Sequence, residues 1–122
     1  MARHFHIEVD NGAAVVETNA APDATPLAPR GWIIRTLDTA GVSTVLLDAE
    51  AGAEEFSMHA SPDRWFGQVL AGSGTLAYGN AAGNEVGSVR VAAGDLLTFE
   101  PDTPHAWRVE SEPLRLLFVK PA

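Results

Sequence analysis

The sequence predicts an all-β domain, on three observations. After residue 30 the chain is a succession of short runs rich in valine, leucine, threonine and aromatics. Glycine or proline breaks most of the gaps between them, at Gly41, Gly52, Pro62, Gly72, Gly83, Gly94, Pro104 and Pro113. No segment there sustains a helical apolar stripe over three turns. Short strands at this spacing form sandwiches or barrels, and spacing alone does not choose between the two. A chain of 122 residues suggests one domain, able to bury roughly two thirds of its unfolded surface.

Taken in order, Phe5–Val9 and Ala13–Glu17 are candidate strands, of a kind that can add to a partner's sheet. Asn19–Pro29 holds three of the eight prolines and reads as a loop or extended arm. Residues 1–30 are therefore an N-terminal arm and residues 31–122 the β domain. Strands are expected near Trp32–Leu37, Ser43–Ala49, Glu55–His59, Trp65–Leu70, Gly74–Tyr78, Ser88–Val91, Leu96–Phe99, His105–Val109 and Leu114–Lys120. Between them, Ala71–Gly74 reads as a turn, because glycine takes positive φ at little cost. Asn80–Asn84 reads as a hairpin loop and Ala92–Asp95 as a tight turn.

Composition excludes several functions. The hydrophobic fraction of 46% and charged fraction of 20% are those of an ordinary globular domain. Net charge is −8, with one lysine, so no basic stripe exists and nucleic acid is not an expected partner. The chain has no cysteine, which removes disulfides, thiolate metal sites and cysteine nucleophiles together. No apolar run of about 18 residues exists, and the first six residues are no secretory signal. A cytoplasmic location and no membrane partner are expected.

Two segments carry the chemistry. Phe56–Gly79 reads FSMHASPDRWFGQVLAGSGTLAYG and Gly94–Val109 reads GDLLTFEPDTPHAWRV. Both are strand, turn and strand, and each holds a histidine at its turn, His59 and His105. The pair resembles the two motifs of the cupin superfamily. In the first motif, G-x5-H-x-H-x3–4-E-x6-G, His59, Ser61, Trp65 and Gly72 stand at the H, H, E and G places, and Gly52 is displaced by one. In the second, G-x5-P-x-G-x2-H-x3-N, Gly94 and His105 are in register. Glu100, Asp102 and Val109 take the proline, glycine and asparagine places, while Pro101 and Pro104 rigidify the turn. The resemblance covers residues 40–120 and implies a single-domain cupin-type β-barrel (a double-stranded β-helix, or jelly roll). It also implies a homodimer, paired through strands near the N-terminus.

Residues i and i+2 of a strand face the same side, roughly 6–7 Å apart. Two histidines so placed, a carboxylate from the next strand and a histidine from the second motif make a centre for a divalent transition metal. This chain keeps only His59 and His105. Ser61 offers a neutral hydroxyl, and Trp65 offers an N–H donor with no lone pair for a metal. Glu55 shares parity with His59 but lies roughly 13 Å along an extended strand. Gln68 has the opposite parity to Trp65, and Asp63 sits in the turn. The metal motif is thus degenerate, and the expected cofactor is none, or a weakly bound divalent transition metal on His59 and His105.

Trp65 and Trp107 share parity with the inward positions. Beside two histidines they make the mixed lining of a small-molecule site. The candidate ligand-binding residues are His59, Ser61, Trp65, His105 and Trp107, with no catalytic residue assigned. A plain histidine-lined, aromatic-filled barrel fits the same positions. Three functions stay open: a binder of a small organic ligand, a metal-dependent enzyme (dioxygenase, isomerase or epimerase) using His59 and His105, and a non-catalytic structural or regulatory module with a filled barrel. His4 and His6 read as a solvated strand face, and Arg30, Arg35, Arg90 and Arg108 mostly as surface partners of the abundant acids. No Ser-His-Asp arrangement is suggested.

Overall fold

Eleven strands and no helix make up the residues described, 2–122, of the computed structural model. They are β1 (Arg3–Asp10), β2 (Ala13–Ala20), β3 (Thr25–Leu27), β4 (Trp32–Thr39), β5 (Val42–Ala49), β6 (Phe56–His59), β7 (Trp65–Gly79), β8 (Glu85–Ala92), β9 (Leu96–Phe99), β10 (His105–Arg108) and β11 (Leu114–Pro121). Among the described residues no helix is long and apolar enough to cross a membrane.

Strands β3 to β11 form one antiparallel sheet in the order β3-β4-β5-β11-β7-β10-β6, with β8 and β9 also paired to β7. β7 is the hinge of the architecture. Its first half pairs with β11 and β9, its second with β10 and β8. The sheet curls about it into an all-β half-barrel. Alternation sends Trp32, Leu47, Val69, Leu97, Leu116 and Phe118 to the concave side, where they form one apolar cluster.

The expected turn at Ala71–Gly74 is instead a bulge inside the 15-residue β7. Gly72 has φ +78°, and a Cβ there would stand 1.6 Å from the Pro113 carbonyl oxygen. The β11–β7 register shifts at this point, between Arg115 and Leu116. One left-handed glycine suits a bulge as well as a turn, which is why the local signal misleads. Asn19–Pro29 also differs from a simple loop. β2 continues to Ala20, and Thr25–Leu27 pairs with β4 as an edge strand, the position where a proline such as Pro26 is tolerated.

β1 and β2 pair only with each other. Asn11 and Gly12 join them with φ of 51° and 80°, the two left-handed residues that a tight hairpin turn needs. This Asn-Gly pair is itself a hairpin signal in the sequence.

Candidate functional site

The two histidines come from strand ends that lie side by side. His59 closes β6, His105 opens β10, and the two are directly opposite in the β10–β6 register. Their ring centroids are 4.3 Å apart, at 60° to one another. Each ring is aimed by the same local device. Nδ1–H of His59 donates to the Ser57 carbonyl and Nδ1–H of His105 to the Thr103 carbonyl, both at 2.9 Å. A carbonyl can only accept, so in the neutral imidazole the proton sits on Nδ1 and the lone pair on Nε2. Both Nε2 atoms are without a hydrogen bond from the described chain.

Apolar neighbours fix the rings further. His105 stacks on Phe99, with centroids 4.1 Å apart and planes within 9°. His59 leans on Phe56, which meets Trp32 edge-on. His105 is buried, and that desolvation lowers its pKa from the ordinary 6.5. The hydrogen bond to Thr103 opposes the shift, and the charge of His59 adds to it. His105 is therefore a neutral acceptor near pH 7.

Ser61 and Trp65 act as one unit. The Trp65 indole N–H donates to Ser61 Oγ at 3.1 Å, and so does the Asp63 backbone N–H, also at 3.1 Å. The Ser61 hydroxyl in turn lies 3.5 Å from Asp63 Oδ2. Both Ser61 lone pairs are thus engaged. Lys120 pairs with Asp63 at 3.4 Å and stands over the Trp65 ring at 5.7 Å. Asp63 thus belongs to the support of the indole. Glu55 accepts instead from Arg108 at 2.9 Å, in an exposed pair.

His59, Ser61, Trp65, His105 and Trp107 all line one cavity of about 200 Å³. Val45, Leu47, Phe99 and Phe118 complete its wall. These four carry no polar or titratable group and occupy none of the defined motif places, although Phe99 and Phe118 share parity with the core residues Leu97 and Leu116. Phe118 is central: its ring meets those of Phe99, Trp107 and Trp65 at 5.9, 6.2 and 6.4 Å. It fits because position 67 is glycine; a Cβ there would lie 2.4 Å from Phe118 Cδ1. No lysine or arginine lines the cavity. Trp107 is buried, and its indole N–H makes no hydrogen bond within the described chain.

A second hollow, of about 660 Å³, lies elsewhere, walled by Leu27, Ile33, Pro113 and the ion-paired Arg30 and Arg115. It has no histidine, serine or threonine, and its carboxylates Asp48 and Glu50 are held by Arg115 and Arg30, so the smaller cavity is the candidate site for ligand chemistry. Among the described residues no group of three or more His, Cys, Asp or Glu side chains is arranged to hold a metal ion.

A family model described as "Cupin domain" matches residues 45–120. No curated protein sequence matches the chain. The fold is similar to that of a variant oxalate decarboxylase from Bacillus subtilis, with TM-score 0.67 and 19% identity, over 81% of this chain and 27% of that one. It is also similar to the DMSP lyase DddQ from Ruegeria pomeroyi DSS-3, with TM-score 0.58 and 19% identity, over 69% of this chain and 40% of that one. A third likeness is to protein NMB1881 from Neisseria meningitidis, with TM-score 0.57 and 16% identity, over 73% of this chain and 82% of that one. The chain thus spans less than half the length of the lyase and of the decarboxylase. At these identities the likeness is one of fold.

Proposed function

The chain belongs to the cupin domain family, and on that premise we propose that it binds a small, uncharged organic molecule inside the half-barrel. The supporting observation is the cavity of about 200 Å³ with two imidazoles on its wall. Such a space equals roughly seven waters of liquid volume, so the ligand is small, and the cavity speaks against a fully filled barrel. Most of the lining is aromatic or aliphatic. The polar contacts on offer are two acceptors, Nε2 of His59 and of His105, and one donor, the Trp107 indole N–H. A hydroxyl-bearing or N–H-bearing molecule with a flat apolar body matches that set. An anion would be desolvated there with no cation to meet it.

The residues do not fit a complete metal centre. The hydroxyl at the second histidine place has both lone pairs engaged, by Trp65 and by Asp63. The indole at the carboxylate place has none to give. We therefore take the metal motif as degenerate, with His59 and His105 holding a divalent transition metal only weakly. The second reading is a metal-dependent enzyme working from the same two histidines, and it draws on the fold likeness to a DMSP lyase and an oxalate decarboxylase. We further assign the protein to the cytoplasm, as a homodimer with residues 1–30 as an arm on the 31–122 barrel.

One experiment separates the two readings. Metal content is measured on purified protein, and thermal stabilisation is recorded against a panel of small phenols, alcohols and matching carboxylates. The expected outcome is metal far below one ion per chain, with stabilisation by uncharged members that His105→Ala abolishes. Stoichiometric metal, or stabilisation that survives in His105→Ala, overturns the proposal.

A further inference from the structure

One aromatic residue borders the cavity without lining it. His59, His105, Tyr78 and Gly87 stand opposite one another across β6, β10, β7 and β8, as a single row in register. Tyr78 follows the buried core residue Leu76 by two positions, so both side chains rise from the concave side of the sheet. The neighbouring row, Phe56, Trp107, Leu76 and Val89, carries no charge and no hydroxyl. Tyr78 is 41% exposed where His105 is 8% exposed, so at this residue the row of the two histidines meets solvent.

Room made at Gly87 holds the Tyr78 ring away from the cavity. A Cβ at Gly87 would stand 2.6 Å from Tyr78 Cζ and 2.8 Å from Cε2, and closer still to the hydroxyl oxygen, so the ring rests on bare glycine backbone. Gly87 has no left-handed φ, so the glycine supplies space and not a special conformation. The phenol can both donate and accept, yet its hydroxyl makes no hydrogen bond within the described chain. Two χ1 settings are common on strands, and exposed side chains exchange between them on a picosecond-to-nanosecond scale. Directly opposed residues of an antiparallel pair have Cβ atoms roughly 4.5–5.5 Å apart, within easy reach of an aromatic side chain. A change of χ1 can therefore carry the ring from Gly87 toward His105.

We infer that Tyr78 is a ligand contact and specificity-determining residue of this site: with the cavity occupied, its ring turns from Gly87 onto the bound molecule and its hydroxyl meets a polar group at that molecule's outer end. This rests on the binding site proposed above and narrows the ligand class. The molecule is flat, uncharged and polar at both ends, one end for the imidazoles and the Trp107 N–H, the other for Tyr78. One substituted aromatic ring has that form and suits a cavity of about 200 Å³.

Tyr78 is the chain's single tyrosine, so 3-fluorotyrosine places one fluorine signal on this residue alone. The probes are 4-methylphenol and 4-(hydroxymethyl)phenol, which differ by one hydroxyl at the far end. Saturation with 4-(hydroxymethyl)phenol should shift the fluorine signal. Calorimetric titration gives both affinities, and the preference for the second probe over the first should fall about five- to tenfold from the parent to Tyr78→Phe, which keeps the ring and loses the hydroxyl. Gly87→Ala takes away the resting place while suiting the backbone, and should move the ligand-free fluorine signal toward its bound position. Circular dichroism confirms that each variant is folded. A preference unchanged in Tyr78→Phe, a fluorine signal that stays fixed while the parent binds, or a Gly87→Ala signal that moves away from the bound position overturns the role of Tyr78 and leaves the binding site standing. A parent that binds neither probe overturns the ligand polar at both ends, and a parent that binds no member of the phenol and alcohol panel overturns the site itself.

Discussion

Gly67→Ala puts the packing of the site to its most direct test, because at this position the fold and the cavity depend on the same atoms. The added Cβ would stand 2.4 and 2.5 Å from Phe118 Cδ1 and Cε1, and 3.0 Å from the Leu117 carbonyl oxygen. Ordinary carbon contacts begin near ~3.5 Å, so the ring must retreat by about 1 Å. Phe118 is wedged among Trp65, Phe99 and Trp107, and the space left to it is the cavity itself. Overpacking of this kind costs roughly 1–3 kcal/mol. Gly67 has no left-handed φ, so alanine suits its backbone and returns about 0.5–1 kcal/mol through the unfolded state. A net loss of ~1–2 kcal/mol remains. For a chain of 122 residues each 1 kcal/mol moves Tm by about 4 °C, so a fall of about 4–8 °C is expected, together with loss of ligand-induced stabilisation. The assay is thermal unfolding of Gly67→Ala, Phe118→Leu and the double variant. Leucine removes the ring edge that the new methyl meets, so the double variant should lose less than the sum of the singles. Additive losses, or a Gly67→Ala protein as stable as its parent, refute the reasoning.

Two further outcomes follow from the same site. Ser61→Ala leaves the Trp65 indole N–H and the Asp63 backbone N–H without their acceptor, and should cost about 1–2 kcal/mol, read as a Tm fall of roughly 4–8 °C that Ser61→Thr largely avoids. Burial, opposed by the Thr103 hydrogen bond and assisted by His59, lowers the pKa of folded His105, so as pH falls the unfolded chain takes up this proton first. That stability is complete above about pH 6.5 and declines below it, until folded His105 also titrates; His105→Gln should flatten this part of the Tm-against-pH curve, and a parent-minus-variant difference constant with pH would count against it.

How much of this was legible in the sequence varied with the range of the interaction. Strand positions from Trp32 onward were readable because apolar alternation and glycine or proline breaks are local. The turn assigned to Ala71–Gly74 failed for a non-local reason. Gly72 accommodates the carbonyl of Pro113, the residue just before β11, and nothing within a few residues of Gly72 encodes that approach. The same limit hid Phe99 and Phe118 from the site. Their parity was available, but the pairing of β7 with both β9 and β11 brings them beside Trp65 and His105, and that pairing joins residues 28 to 53 positions apart. The role of Gly67 was equally invisible, since its partner is the ring of Phe118.

Ser61 and Trp65 show what a substitution pattern conceals when its positions are read singly. Each alone looks like the loss of a metal ligand. Together they make a hydrogen-bonded pair, indole N–H to hydroxyl at 3.1 Å, with Asp63 bound to the same hydroxyl and Lys120 to Asp63. An indole placed here with no acceptor would leave its N–H half-buried and unpaired, at a cost of about 1–3 kcal/mol. The serine at position 61 removes that cost, and in doing so it commits the lone pairs that an ion would have needed. Metal chemistry and indole packing therefore compete for the same oxygen, and the geometry of this loop is resolved in favour of the indole. His59 and His105 lie outside that competition, since their Nδ1 protons are held by carbonyls of their own strands and turns. The two imidazoles are thus preorganised whether or not an ion is present. That independence leaves the two Nε2 lone pairs uncommitted within the described chain, while the hydroxyl of Ser61 is already engaged.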